Sequence, residues 1–557
     1  MSSNVTTSLD SPYSDKLRKN YIAQPKEEAG IRMVIKHHRT VVREMNLQLE
    51  DINQAIIALF EEKRAIQGLS MTTNPSSPAF FIFPKTFSRK SSRSWPADAH
   101  WPRIHPIVQI SHVCRQWREN ALSNPMLWTT LEVKNLSLPE PRLGIEPDLQ
   151  RFQRRMERSA DMFPVLISRA AGFPMTLSIR AEDPTGQHTV PAYARSVLPV
   201  IIVLRENRWE KMNLYLTPRH PDSPLLQFLQ FDPRSYQSLH DVSVIFTPDS
   251  VSSAPGIVGR LNLHDLEHLS VLHLDLEQVN PLDIGIRWKL LTEIHLYTTL
   301  NSADTLRLMA QCPNLTRLTT GTCDDMNPLL VLHPQHSVTM SFLRTLRLVG
   351  ETGRLLQRVA LPALSSLQLM EMSSFQLHST APQWLRAYGA QLQRVAFNYD
   401  RLNPSSILDC LKDLSAAVSL EIGPSPSLMD RGGGPGDDAL SMAHRAALGA
   451  LTLKLGEAGT PVLVCPKLEN IIIHSPNFST EVGEWVELLA SRRGSIRGAV
   501  AFIKTVEIRL PDPGYAEQDT VLAKHSEIYD GLTMRGVSIH GIKVLVEKHA
   551  RWADTWA

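Results

Sequence analysis

From about residue 170 the chain repeats one short hydrophobic grammar. An apolar residue is followed by two mostly polar ones, an apolar residue, a variable residue and a final apolar residue. The clearest copies are "LSVLHL" (269–274), "LTEIHL" (291–296), "LRTLRL" (343–348), "LSSLQL" (364–369), "LQRVAF" (392–397) and "LENIII" (468–473). Looser copies are "WEKMNL" (209–214), "LHDVSV" (239–244), "LTRLTT" (315–320) and "AVSLEI" (417–422). The fourth residues are Met212, Val242, Leu272, Ile294, Leu318, Leu346, Leu367, Val395, Leu420 and Ile471, at steps of 30, 30, 22, 24, 28, 21, 28, 25 and 51. The last gap contains a Gly-rich insertion, "RGGGPGDD" (431–438), and has room for one more unit.

The spacing centres on the leucine-rich-repeat period of roughly 20–29 residues. Each unit supplies one short strand whose alternate residues enter a shared core, and neighbours must stack because one unit cannot bury its own apolar face. The returns "NSADTLRLMAQCPN" (301–314) and "NPSSILDCLKDLS" (403–415) open on capping residues and carry helical spacing. A doubly wound α/β sheet would also alternate strand and helix. The solenoid is preferred because no unit carries a phosphate-binding loop. The strands are also polar-centred, unlike those of doubly covered sheets.

Side chains alternate along a strand, so the residue between the buried pair faces outward, onto the expected concave side. That row is Asn213, Ser243, His273, His295, Thr319, Arg347, Gln368, Ala396, Glu421 and Ile472, with Tyr215, Asp275 and Tyr297 beside it. Its mixed polarity suits a protein surface. His273, His295, Tyr297, Arg347 and Gln368 are the expected substrate-binding residues. The repeat domain is placed at 165–545.

The N-terminal third reads differently. Residues 1–27 are polar, and disorder is expected there. Within 28–66 a heptad seam runs through Ile35, His38, Val42, Met45, Leu49, Ile52, Ile56, Leu59, Lys63 and Ile66, and no Pro or Gly breaks it from 35 to 66. It predicts a helix that packs on its own chain or self-associates through 31–66. Residues 67–106 are rich in Pro and Ser and include the apolar "AFFIFP"; they read as a linker. The basic portion at 85–103 is solvated linker or a nuclear-import signal.

Residues 107–135 carry a distinct pattern. "IVQISHVCRQWRENALSN" places Ile110, Val113, Cys114, Trp117 and Ala121 on one helical face, Pro125 marks a turn, and "PMLWTTLEV" then runs extended into the next domain. Two tryptophans so close fit anchors of a core or of an interface. "VCRQWRENALSNPMLW" resembles the second half of an F-box, V-C-[KR]-x-W-R…A…P-x-L-W. The matches are Val113, Cys114, Arg115, Trp117, Arg118, Ala121, Pro125, Leu127 and Trp128. The whole layout is similar to that of many fungal F-box proteins. The opening L-P-x-E-[IL] turn has no counterpart, and "PAFFIFPKTF" stands in its place.

The resemblance implies an α/β chain: an N-terminal helix and a helical F-box-like region, followed by an irregular leucine-rich-repeat solenoid. It implies a substrate-recognition subunit of an SCF-type cullin–RING ubiquitin ligase. Val113, Cys114, Trp117, Pro125, Leu127 and Trp128 would hold the Skp adaptor, and the repeats a protein substrate. The alternative is a repeat scaffold that does not recruit the adaptor.

Composition changes this picture little. The chain has 557 residues, 43% of them hydrophobic, and 58 basic against 56 acidic residues, so no global charge selects nucleic acid. Five dispersed cysteines suit reduced thiols in the cytoplasm or nucleus. The longest apolar run, "VLPVIIVL" (197–204), is far short of the ~20 residues of a membrane span. "HDLEH" (264–268) matches a zinc-protease pattern that needs a helix and a third ligand; its place at a strand entrance reads as surface loop. "RGGGPG" lacks the Lys-Ser/Thr of a P-loop. Arg492 and Arg493 in "LLASRRGSIRG" suit a helix C-terminus. No catalysis, cofactor or metal is expected.

Overall fold

The computed structural model describes Val108 and residues 115–547, except 135, 139–147, 185–189, 221, 233–234, 247–260, 277–278, 324–336, 371–378, 400, 425–437, 453, 456–460, 463, 475–481, 494–502, 512–526 and 536–541. The expected disordered terminus, heptad helix and linker lie outside the described residues, as do Val113, Cys114 and most of the Gly-rich insertion. All described residues belong to the second of two compact units, His100–Ala557.

That unit is built on one parallel sheet of 14 strands. In chain order the strands are β1 (Thr130–Val133), β2 (Thr176–Glu182), β3 (Lys211–Thr217), β4 (Asp241–Phe246), β5 (Val271–Leu276), β6 (Glu293–Asn301), β7 (Arg317–Cys323), β8 (Val338–Thr339), β9 (Thr345–Gly350), β10 (Val359–Ala360), β11 (Ser366–Met370), β12 (Arg394–Asn398), β13 (Ser419–Gly423), β14 (Lys454–Leu455), β15 (Pro461–Val462), β16 (Asn470–His474), β17 (Thr505–Pro511) and β18 (Ile542–Glu547). β8 with β10, and β14 with β15, form separate two-stranded pieces; the other fourteen lie side by side in chain order. A sheet whose every neighbour is the next repeat is a solenoid.

The register follows the hexamer. Met212, Val242, Leu272, Ile294, Leu318, Leu346, Leu367, Val395, Leu420 and Ile471 pair across successive strands as one continuous row. Leu131 and Leu177 extend the row at one end, Val506 and Ile542 at the other. Nearly all of these side chains are buried in a single apolar cluster running from Trp128 to Ile542.

Three expectations are corrected. The sheet begins at Thr130, inside the segment assigned to the partial F-box and well before 165. "TLEV" is therefore not a connection to a later domain: its Leu131 and Val133 enter the same core. The long gap before Ile471 holds no extra ladder strand, because β13 pairs directly with β16. The helix Asp438–Leu451 and the β14–β15 hairpin occupy that return.

The returns vary, which explains the uneven period. Helices α1 (Arg115–Ser123), α2 (Leu149–Arg169) and α3 (Val190–Arg205) serve the first repeats. Later returns carry α4 (Ser302–Gln311), α5 (Gly353–Leu356), α6 (Ala381–Tyr388), α7 (Pro404–Asp413), α8 (Asp438–Leu451) and α9 (Val482–Arg493). The run "VLPVIIVL" lies in α3, where Val197, Val200, Ile201 and Leu204 are fully buried. No helix among the described residues is long and apolar enough to cross a membrane. The Asn301 and Asn403 side chains cap α4 and α7 by accepting from Asp304 N at 2.7 Å and Ser406 N at 2.8 Å. At the strand entrances a hydroxyl staircase steps between repeats. Ser270, Thr292 and Thr316 each donate to the carbonyl of the equivalent residue one repeat earlier, at 3.3, 3.2 and 2.9 Å.

Candidate functional site

The outward row forms as the alternation requires, yet it is open along only part of its length. Asn213, Ser243, His273 and His295 are half-buried. Gln368 is 3% exposed, and Ala396 and Glu421 are fully buried. Gln368 is thus not available as a substrate contact. On its face Val349, Met370 and Ala396 form a second apolar cluster, separate from the core. Further along the same face lies a buried charged group. His474 Nε2 is 2.9 Å from Glu421 Oε1, and Arg509 NH1 lies 3.6 Å from the same oxygen. The accessible stretch therefore runs from β3 to β6; Thr319 of β7 is 8% exposed, and Arg347 of β9 is half-buried beyond it.

His273 and His295 form its β5–β6 end. They occupy equivalent positions in adjacent strands. Their rings stack with centroids 4.2 Å apart and planes inclined by 3°. His295 Nδ1 lies 3.0 Å from Thr319 Oγ1. Desolvation pushes the His295 pKa down to about 3, with His273, Arg317 and Arg347 adding to the shift. Desolvation also lowers His273, opposed by Asp241 and aided by Lys211 and Arg317. Two protonated rings at this distance would repel, so the stack is a neutral pair at pH 7. Glu293, 3.9 Å from His295, does not reverse this, because Arg317 NH1 holds the same carboxylate at 3.4 Å. Lys211 Nζ likewise lies 2.5 Å from Asp241 Oδ2. The face thus carries neighbouring opposite charges instead of a stripe of one sign.

Above the stack, β6 carries an irregularity. Its pairing with β7 shifts between His295 and Thr299, so four steps on β6 match two on β7. Bulges re-aim side chains, and here Tyr297 stands 52% exposed. Gly321 of β7 accepts the crowding, since a Cβ there would lie 3.1 Å from the Thr299 Cα. Beside the bulge opens a cleft of about 710 Å³ lined by Asp275, Val279, Asn280, Tyr297, Thr298, Thr299, Leu300, Asn301, Asp304 and Cys323. Sequence reasoning pointed to Asp275 and Tyr297. It missed Asn280 and Asp304, which lie in returns, and Asn301, the last residue of β6, whose side chain caps α4.

The F-box-like residues are divided between core and surface. Trp117 lies in α1. Trp128 is 2% exposed. Its Nε1 donates to Ala121 O at 2.8 Å, and the Arg169 guanidinium covers its ring at 4.7 Å from the centroid. This tryptophan joins α1, the Pro125–Trp128 3₁₀ turn and α2 at the start of the sheet. Its ring offers no face to a partner. Pro125 is half-buried, whereas Leu122, Met126 and Leu127 are exposed. Trp128→Phe should keep most of the packing and lose the Nε1 bond, costing about 1–2 kcal/mol. A denaturant midpoint unchanged from wild type would show that the bond contributes nothing.

Residues 264–268 form turns instead of a helix, with His264 and His268 exposed. The zinc-protease spacing therefore lacks the geometry that would converge its histidines.

No family model matches the chain, and no curated protein matches it. Among solved structures it is similar to the leucine-rich repeat-containing protein LegL7 from Legionella pneumophila. The identity is 10%, the match covers 75% of this chain and 90% of that chain, and the TM-score is 0.28. The repeat assignment rests on the ladder itself.

Proposed function

We propose that the chain is a non-catalytic repeat scaffold that binds a protein on the open outward face from β3 to β6. One observation supports this most directly. A continuous row of half-buried, mixed polar and aromatic residues crosses parallel strands on rigid spacing, with Tyr297 exposed at its edge. Tyrosine beside satisfied polar groups is the usual make-up of a protein contact. The pairing of Lys211 with Asp241 and of Arg317 with Glu293 suits a phosphate backbone poorly. Photo-crosslinker at Ser243, on the full chain in a native extract, tests the reading: no protein adduct at that position rejects it.

The finer reading is a substrate receptor of an SCF-type ubiquitin ligase, in the cytoplasm or nucleus, with the F-box-like segment holding the Skp adaptor. The exposed Leu122, Met126 and Leu127 support a contact there. Linking two binding sites in one chain raises the effective concentration of the substrate near the ligase. A pull-down of the adaptor by the full chain is expected to succeed. It should fail with Met126→Glu/Leu127→Glu, which alters exposed positions and leaves Trp128 in the core. Loss of binding with an unchanged melting temperature supports the receptor. Failure of the wild type to bind rejects it and leaves the scaffold without the adaptor.

A further inference from the structure

The two ends of the sheet differ. Among the described residues, β1 and β18 each pair on one side only, β1 with β2 and β18 with β17. An edge strand turns alternate N–H and C=O groups away from its single neighbour, where another strand can pair with them. Native edges are commonly guarded by shortness and by charge. β1 has both guards: it is four residues long, and its Glu132 is exposed and ion-paired to Lys134. β18 is six residues long, and its middle is the apolar Val544, Leu545 and Val546.

The core rows of the solenoid also run on to that edge. Val506 and Ile508 of β17 are buried and pair with Ile542 and Val544, and Leu510 pairs with Val546. Ile542 is itself buried. The last unit of a solenoid is covered on one side only, unless its outer residues turn polar or something stacks on it. In β18 the row that continues the core is Ile542, Val544 and Val546, apolar throughout. The alternate row is Lys543, Leu545 and Glu547, in register with Glu507, Arg509 and Pro511.

That alternate row decides what fits the edge. A two-fold axis normal to the sheet brings the same strand of two copies together antiparallel. Facing residues then keep to one face of the joined sheet only if the axis passes through a residue. An axis at Val544 sets Lys543 opposite Leu545, a charge against an apolar residue. An axis at Leu545 sets Lys543 opposite Glu547 twice, Val544 opposite Val546 twice and Leu545 opposite itself. Opposite charges on facing positions stabilise an antiparallel pair, and like charges destabilise it. In this register the strand is complementary to its own reversed sequence.

We propose that β18 is a self-association edge: two copies pair antiparallel through residues 543–547, centred on Leu545, and join their sheets into one.

Sedimentation equilibrium on the full chain tests this. The wild type should dimerise at high micromolar concentration. Glu547→Lys sets a lysine opposite Lys543 at both ends of the pairing and should weaken the dimer roughly tenfold or more. Lys543→Glu should do the same with two glutamate pairs. It also places a carboxylate in register with Glu507, so Glu547→Lys carries the comparison if the Lys543→Glu melting temperature falls. Mixing the two variants restores both charge pairs, so the mixture should form a heterodimer about as tight as the wild-type dimer, a recovery that damage to the fold cannot produce. A wild type that stays monomeric overturns the proposal and leaves the edge to a strand of another protein. A dimer kept by both variants overturns it in favour of association elsewhere on the chain, such as through residues 31–66. Folded variants that fail to associate when mixed overturn it as well.

Discussion

Gly350→Ala is expected to cost about 4 kcal/mol of folding stability, read as a fall in denaturant midpoint at an unchanged slope. Gly350 ends β9 with φ of 110°, a backbone region that L side chains rarely adopt. A Cβ there would lie 2.1 Å from the Thr322 carbonyl oxygen. That oxygen cannot retreat without loss, because it accepts from Glu351 N at 2.9 Å within the β7–β9 ladder. The new methyl must therefore displace backbone in the middle of the solenoid. Gly172 separates the two contributions. Its φ is 81°, and nothing lies within 4 Å of its would-be Cβ. Gly172→Ala should cost only about 1 kcal/mol, the conformational share alone. If the two variants prove equally stable, the close approach to Thr322 is not what requires glycine at 350.

The same ladder shows what a sequence reading can reach. Ten strands were visible because their core residues repeat at the fourth position of the hexamer, and the register row passes through those ten residues. The four strands that escaped it lie at the ends: β1, β2, β17 and β18. Only β1 and β18 have a single neighbour in the sheet, but terminal repeats as a class depart from the pattern of the middle. β1 was masked further because Trp128, just before it, belongs to a motif read as an interface. Nothing local distinguishes a tryptophan that seals the first repeat from one that meets a partner. The difference lies in Arg169 and Ala121, which only the tertiary structure brings to it.

The outward face divides in the same way. His273 and His295 were legible as a pair because they hold the same position in neighbouring repeats. The burial of Gln368 and Glu421 was not, since alternation predicts which face a residue takes and says nothing of what covers that face. The cleft was legible only on its strand side, through Asp275 and Tyr297. Its other wall is set by bonds to Asp304 of α4 from Asn280, in the preceding return, and from Asn301, at the end of β6, and no period links those residues.

Acidification should destabilise the fold between pH 6.5 and about 4. Two imidazoles drive this. His444 on α8 is buried by the core, its Nδ1 2.6 Å from the Tyr399 hydroxyl oxygen, and desolvation pushes its pKa down to about 4. His295 sits at about 3, again chiefly through desolvation. An unfolded histidine titrates near 6.5. Above that pH both states are neutral at these sites and the two groups leave stability unchanged. As pH falls below 6.5 the unfolded chain takes up protons that the folded chain refuses, so stability drops. The loss levels off only below the folded values, where both states are protonated. At pH 5 each group has lost about 2 kcal/mol, from roughly 1.5 pH units at 1.36 kcal/mol each. Asp183 acts in the opposite sense: burial raises its pKa, so protonation of that carboxyl at still lower pH favours the fold. Denaturant midpoints measured from pH 7.5 to 5 should fall steadily below 6.5. His444→Asn, which cannot titrate, should flatten the slope by about one proton, and His295→Asn by another. A variant that lowers stability at every pH but keeps the wild-type slope would show that the proton is taken up elsewhere.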